Sequence, residues 1–468
     1  MNTIDEILAI ESIEDKIEAL KKKDVDPSKW SDLVSQYDPM KHEIMTDTTT
    51  RKDKTFKDGT VEKVARVTYG QQRMFARRMT QMAFAIPVKR EYNTSTDEEK
   101  EIATAIENVY KKTRIDSINV NRMHAYFAAC EVMTIWYAVK APNNDYGFNS
   151  EYKLRCTSYS PMDRKFSRIE QASIYPLFID GDMVALSFSY KKKSKDKTVT
   201  YFETYTKDKH IVWENRDSWI EKVNEDIKIL KIPGVYIWRP MPIWEDTTNN
   251  TKEIEYTMSR QSDILRRNSA PVLTVEGEFA GKDTAGDNSR EVYRLKQGGK
   301  VSYVTWQQQI ESMKFYVSEL KKNTEEELQL PNLSLENVKG LGAMSGEARK
   351  TLLTDAHLKV GYESGEIVEF LDRECNVIKA FLELMNVQWK GKTSAVGVEH
   401  IITPFIQNDE GNEIDKISRA VGGEQIVRRE TAVRTLGWVP ENKVKEECEK
   451  IEQEQASKFS ASIFEPTE

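Results

Sequence analysis

Cysteine, histidine and long apolar runs are all scarce in this chain, and each shortage removes a class of function. The four cysteines among 468 residues, Cys130, Cys156, Cys375 and Cys448, lie far apart with no C-x-x-C spacing. That excludes a zinc ribbon and predicts reduced thiols in a cytosolic setting instead of a disulfide framework. The five histidines are scattered and form no H-E-x-x-H, so no metal site is expected. No apolar stretch approaches the ~20 residues of a membrane helix. The acidic, amphipathic start "MNTIDEILAIESIEDKIEAL" has no positive n-region or cleavage site and does not read as a signal peptide. G-x-S-x-G, G-x-x-x-x-G-K-[ST] and kinase signatures are also missing. No catalytic residue, metal ligand or cofactor is nominated.

Net charge is −7, from 69 basic and 76 acidic residues. A tight DNA binder needs a basic face, because counterion release supplies most non-specific affinity. The acidic balance argues against such a binder but does not exclude a protein that DNA passes without sticking. Hydrophobic residues at 39% and charged residues at 31% fit a soluble protein with modest cores, and the length calls for two or more packed units.

Along the chain, Ile4, Leu8, Ile13, Ile17 and Leu20 are spaced as on one surface helix, and the polar stretch to about Thr60 reads as a loop or arm. "YGQQRMFARRMTQMAFAI" predicts a helix over 69–86 stopped by Pro87; Arg73, Arg77 and Arg78 mark either a solvated face or a nucleic-acid contact. "NRMHAYFAACEVMTIWYAVK" is apolar nearly all round and predicts one buried helix over 121–140, with His124 a core histidine. From about Glu151 to Trp213 the period becomes two. Val184, Leu186, Phe188 and Tyr190, then Val199, Tyr201 and Tyr205, form antiparallel strands around a "KKKSKDK" tip, which is either simply solvated or meets phosphate or an acidic partner.

Prolines 233, 240 and 242 make an extended connector. Ile254, Met258 and Leu265 then lie on an apolar seam of a helix beginning near Asn250, and Trp306, Ile310, Met313, Val317 and Leu320 form another on a second helix. About 22 residues make that helix roughly 33 Å long. Between the two helices, "EFAGKDTAGDNSR" reads as loop, while "EVYRL" and "VSYVTW" read as a hairpin around "KQGG", where Gly298 and Gly299 can take positive φ. Two seam-bearing helices thus bracket a small β module.

Next comes "KGLGAMSGEARKTLLTDAHLKVG". Gly340, Gly342 and Gly346 give G-x-G-x-x-x-G before a helix, yet no buried strand precedes them, and Glu347 would repel phosphate, so a nucleotide cradle is disfavoured. Ser345 is a candidate N-cap. Leu352, Ala356, Val360, Ile367 and Leu371 mark one side of a long helix to about Met385, in which Gly361 and Gly365 allow a bend. "GVEHIITPFI" predicts one returning strand. The last sixty or so residues read as charged helices ending in a frayed "ASKFSASIFEPTE".

Taken in order, "IPGVYIWRP", "EYTMSRQSDILRRNSAPVLTVEG", "SGEARK" opening a long helix, and "GEQIVRRETAVRTLGWVPENKVKEECEKIEQE" resemble the portal, or head-to-tail connector, proteins of tailed bacteriophages over roughly Val67 to Ser457. The resemblance implies an α+β, mainly helical portal fold with wing, stem, clip and crown, closed into a ring, typically of twelve subunits, around a central channel. It implies an N-terminal helix and arm over 1–66, a wing of helices and antiparallel sheet over 67–245, and stem helices over 246–270 and 305–330. The clip falls at 271–304, a tunnel loop at 331–344, a tunnel helix returning to the wing at 345–407, and crown helices at 408–468.

On this resemblance the loop residues Asn337, Lys339, Gly340, Leu341, Gly342 and Met344 face DNA, with Lys339 the phosphate contact, and Ser345, Gly346 and Ala348 start the tunnel helix. Arg290, Arg294, Lys296 and Lys300 of the clip face a packaging motor or the tunnel, or are solvated charges. The implied partners are further copies of the chain, the major capsid protein and scaffold, the large terminase subunit, a head-completion or tail adaptor protein, and double-stranded DNA, with no membrane. The implied location is the capsid portal vertex, after assembly in the host cytoplasm. Two other readings remain: a nucleotide-dependent enzyme using the Gly340–Gly346 loop, and a channel-less helical scaffold or adaptor.

Overall fold

The structure, a computed structural model, describes residues 3–194, 197–268, 272–277, 279–285, 290–298, 300–304, 310–332, 351, 353–405, 417–421, 427–439 and 443–464. Two compact units are present: residues 1–331 with 355–405, and residues 332–354 with 406–468. It is a mixed α+β chain, with helix outweighing strand.

The first unit opens with helices α1 (Ile4–Leu8) and α2 (Ile13–Leu20) where one helix was expected. Ser12 is the reason: its hydroxyl accepts from the Asp15 N–H and caps a new helix. The supposed polar arm holds α3 (Trp30–Tyr37), whose Trp30, Leu33 and Tyr37 are buried, then α4 (Glu43–Thr46) and a small hairpin of β1 (Lys54–Thr55) and β2 (Val61–Glu62). Helix α5 (Gln71–Phe84) and strand β3 (Lys89–Asn93) follow. Helix α6 (Asp97–Thr113) starts at a reciprocal Thr96–Glu99 cap, and α7 (Ile115–Ala129) comes next.

The apolar stretch over 121–140 is half helix and half strand. Cys130 takes φ 65°, its N–H closes on the Tyr126 carbonyl, and β4 (Glu131–Asn143) begins at once. Further strands are β5 (Ser150–Ser160), β6 (Glu170–Gln171), β7 (Ser173–Ile179), β8 (Asp182–Ser194), β9 (Lys197–Thr206), β10 (Lys209–Asn215), β11 (Trp219–Asp226) and β12 (Gly234–Trp238). They form a five-stranded antiparallel sheet, β11-β10-β9-β8-β7, and a four-stranded sheet, β12-β4-β5-β6, in which only β5 and β6 run parallel. Pro176 sits on the edge strand β7, where a missing N–H costs no ladder bond.

Alternation along the strands organises the layers. On one face of the five-stranded sheet, Leu177, Ala185, Phe202, Ile211 and Trp213 meet Ile7, Ile17 and Leu20 of the first two helices. On the other, Ile174, Leu186 and Phe188 meet Met133, Ile135 and Tyr236 of the four-stranded sheet. Along β4 the odd residues Met133 and Ile135 serve that sheet contact. The even residues Thr134 and Trp136 turn to the helices, where α7 packs.

His124, on α7, holds the Tyr37 hydroxyl at 2.9 Å, the place of a core histidine. Burial, reinforced by Arg77 and Arg73, pushes its pKa from 6.5 down to about 4. Because the folded value lies below the unfolded one, the stability this site contributes is complete above pH 6.5 and is lost as pH falls toward 4. The shift corresponds to about 3 kcal/mol. Urea unfolding of His124→Gln should therefore show a flatter acid limb than the wild type between those pH values; parallel curves would contradict it.

Beyond β12 lie α8 (Thr248–Asn268), β13 (Val272–Glu276), β14 (Phe279–Ala285), β15 (Arg290–Leu295), β16 (Lys300–Val304), α9 (Ile310–Leu328), the long α10 (Thr354–Met385) and β17 (Gly397–Ile401), which pairs with β3 as the single returning strand. Gly361 and Gly365 lie within α10 without interrupting it. In the second unit, α11 (Arg429–Leu436) ends at Gly437 with φ 68°, the left-handed residue that stops a helix. Helix α12 (Val444–Phe464) extends well into the tail expected to fray. All four cysteines are free. Burial pushes the Cys130 and Cys156 thiols up to about 12 and Cys375 to about 11.

Candidate functional site

Helices α8 and α9 run out and back as an antiparallel pair. Near their shared base the Asn250 amide donates to Glu327 at 3.0 Å, and further along the Tyr316 hydroxyl donates to Glu253 at 3.3 Å. Between their far ends sits the β module, paired differently from expectation. β13 pairs with β16 (Val272↔Val304 to Glu276↔Lys300), and β14 pairs with β15 (Ala285↔Arg290 to Phe279↔Leu295). Residues 279–285 of the stretch read as loop are therefore a strand, and "EVYRL" and "VSYV" are not each other's partners. Gly298 has φ 94°, the positive value anticipated for the "KQGG" turn.

The seam residues change character along the pair. Ile254 is fully buried, Met258 is half-buried, and Leu265 is 47% exposed. On α9, Met313, Val317 and Leu320 are half-buried, while Phe315 and Tyr316 are 67% and 44% exposed. Ile310 is the first residue of α9. In the β module, Arg290 opens β15 opposite Ala285, Arg294 lies opposite Gly281, and Lys296 and Lys300 are exposed. Trp306 and the whole loop set, Asn337, Lys339, Gly340, Leu341, Gly342, Met344, Ser345, Gly346 and Ala348, lie outside the described residues.

Sequence reading missed how these helices are fastened. On α8 a polar stripe at i, i+4, i+8 takes an extended segment of the chain. Tyr69, Val67 and Ala65 donate their backbone N–H groups to Glu255 (2.6 Å), Ser259 (2.9 Å) and Asp263 (2.6 Å). Two residues of extended chain span about 6.6 Å and four of helix about 6.0 Å, so the two repeats stay in step. His42 completes the clasp, with Nδ1 2.6 Å from Glu255 and Nε2 2.6 Å from the Gln36 carbonyl. Arg51 donates to Asp263. The signal was present as E-x-x-x-S-x-x-x-D beside the apolar seam.

Helix α10 is clamped along its length. Arg239 of the proline connector reaches Glu363 with both terminal nitrogens at 3.2 and 3.4 Å. Asp372 holds His400 Nδ1 at 2.7 Å, and Lys379 donates to the Val396 carbonyl at 2.7 Å. At the centre, Arg122 and Glu374 form a bidentate pair at 2.6 and 2.7 Å with no solvent exposure on either side chain. The Trp136 indole donates to the same carboxylate at 2.9 Å, and the guanidinium lies 4.7 Å from the Phe370 ring centre. These groups are engaged in holding one another; their arrangement bears load and offers no open reactive centre.

The three arginines of α5 divide. Arg73 lies against the Tyr37 and Phe166 rings and 3.5 Å from Asp38, Arg78 is 3.9 Å from Glu325, and Arg77 is exposed. Among the described residues no helix is long and apolar enough to cross a membrane, and no group of three or more His, Cys, Asp or Glu is placed to hold a metal ion.

A family model described as "Phage portal protein, SPP1 Gp6-like" matches residues 28–458. No curated protein matches the chain. Among solved structures, a chain from the neck of a native GTA particle, computed with C12 symmetry, is similar at 11% identity, covering 79% of this chain and 91% of that one with a TM-score of 0.38.

Proposed function

This chain belongs to the SPP1 Gp6-like phage portal protein family and is a portal vertex protein of a tailed phage; from that premise we propose that its copies close into a ring of about twelve subunits that conducts double-stranded DNA. The observation that carries this reading is the stem pair. Its seam is sealed at the base by Ile254, yet leaves Met313, Val317 and Leu320 half-buried and Leu265 exposed, with Phe315 and Tyr316 exposed beside it. Apolar side chains repeated on both helices of a projecting pair call for neighbours, and head-to-tail packing with a closing rotation supplies them.

In this reading α8 and α9 are the stem and 271–304 the clip that docks the large terminase subunit and later the tail adaptor. The sheets and helices of 67–245 are the wing that meets capsid protein and scaffold, 408–468 is the crown, and α10 is the tunnel helix. The segment 331–344 is the loop that touches DNA, with Lys339 as its phosphate contact and Gly340 and Gly342 giving it reach. The ring assembles in the host cytoplasm before joining the virion, and no catalytic step falls to this chain. A net charge of −7 suits a conduit, because neutralising many phosphates would raise affinity by orders of magnitude and stall the DNA.

The test is direct. The purified protein imaged by negative stain, with native mass on the same sample, should give rings around a central hole. A compact monomer or dimer, unchanged by concentration or by added capsid protein, would overturn the reading. Particles carrying Lys339→Ala should package or retain less full-length genome than wild type; normal packaging and retention would remove that contact.

A further inference from the structure

The lysine-rich β8–β9 hairpin is a feature singled out in the sequence that the conduit role leaves unused. Its register sets it apart from the sheet. β7 accompanies β8 only as far as Ser189, and β10 accompanies β9 only from Thr200. From Lys191↔Thr200, the last pair that β10 still flanks, β8 and β9 continue as a two-stranded ribbon: Lys192↔Val199, Lys193↔Thr198 and Ser194↔Lys197. Val199 is buried and seats the root of the ribbon, while Lys191, Lys192 and Lys193 are all exposed.

Charge placement on this ribbon is unusual for an acidic protein. Alternation puts Lys191 and Lys193 on one face, about 6.6 Å apart along the strand, and Lys192 on the other. The Lys192 ammonium lies 4.9 and 5.8 Å from the Tyr190 and Tyr201 ring centres, which stack on each other at 5.4 Å. Across the ladder the lysines face Thr200, Val199 and Thr198, none of them acidic. Among the described residues no carboxylate is paired with any of the three. Glu203, two pairs inward on the face of Lys192, is engaged by the Tyr190 hydroxyl at 2.5 Å and lies 3.6 Å from His210. Elsewhere on this chain lysines commonly find acids, as Lys209 does with Asp226, Lys222 with Glu214 and Lys153 with Asp145.

We propose that this ribbon is a sequence-independent contact for the backbone of duplex DNA, separate from the stem, clip and loop and independent of the conduit role. Two classes of polyanion would attract it, and the composition decides between them. A protein interface is centred on buried aromatic or arginine anchors and is depleted in lysine. The exposed described side chains of this ribbon are lysine and threonine, the ammonium and hydroxyl donors that phosphate oxygens accept from. Strand pairing holds the backbone of the three lysines in a two-stranded ladder. The contact is electrostatic and strongly salt-dependent.

The experiment uses the full chain and a short fluorescent duplex DNA, with affinity measured across salt from about 50 to 200 mM. Each phosphate contact contributes roughly 0.9 to the slope of log affinity against log salt, so Lys191→Gln/Lys192→Gln/Lys193→Gln should lower that slope by about 2 to 3. The corresponding triple arginine variant, with charge retained and the same demands on the hairpin, should keep the wild-type slope. An unchanged slope in the glutamine variant overturns the proposal. So does an unchanged slope accompanied by lost retention on an acidic polypeptide surface, which would give the ribbon to a protein partner.

Discussion

Glu374→Ala should destabilise the protein by about 3–5 kcal/mol in urea unfolding, because it leaves a guanidinium buried without its counter-charge. Arg122 and Glu374 are both fully buried. The same carboxylate is also the acceptor for the Trp136 indole, so truncation strands two donors at once. The cost falls on the junction of α7, β4 and α10, the point where the long helix is pinned to the two-sheet body. Arg122→Met/Glu374→Leu is the informative companion. If the penalty comes from an uncompensated charge, replacing both partners by apolar groups of similar volume should recover most of it. Recovery stays incomplete because Trp136 still lacks an acceptor. A single variant within about 1 kcal/mol of wild type would mean that solvent reaches the site.

How much of this could be read from the sequence varies with the kind of signal. Long periodic stretches were legible: α5, α8, α9 and most of α10 begin and end close to their apolar patterns. Switches within apolar sequence were not. "AACEVMTIWY" is apolar on all sides whether helical or extended, and only the left-handed Cys130 separates α7 from β4. The nested pairing in the β module was missed because "FAGKDTA" has loop composition, and its strand partner is chosen by register, not propensity. One available signal was overlooked. Asp180 and Gly181, with φ 52° and 89°, form the D-G turn that closes β7 on β8.

The fastening contacts were the least legible. Arg122 and Glu374 are 252 residues apart, and His42 and Glu255 are 213 apart. A single sequence shows acids and bases in abundance but not which of them lose their water together. The order of elements pointed to the helices α8, α9 and α10 but carried no information about what holds them to the body.

Glu255→Ala should release the segment through Ala65, Val67 and Tyr69 from α8, with a loss of about 3–5 kcal/mol and faster hydrogen exchange at Tyr69. Glu255 Oε1 alone accepts from the Tyr69 N–H and meets His42 Nδ1, each at 2.6 Å, while the other ring nitrogen faces the Gln36 carbonyl at 2.6 Å. Both ring nitrogens therefore face acceptors, and removing the carboxylate leaves a buried donor on the ring as well as on the backbone. Ser259→Ala removes a neutral hydroxyl that accepts from the Val67 N–H and donates weakly to the Val67 carbonyl at 3.4 Å, and should cost about 1 kcal/mol. The pattern of exchange separates two mechanical pictures. If the segment lifts as one piece, Glu255→Ala accelerates exchange at Ala65 and Val67 as well as Tyr69. If each rung of the ladder holds independently, only Tyr69 responds, because Asp263 still accepts from Ala65 and Ser259 from Val67. Unaltered exchange at all three amides would show that packing, not the polar stripe, keeps this segment in place. The matched repeats of segment and helix favour the first picture, since adjacent rungs two residues apart cannot separate without pulling on each other.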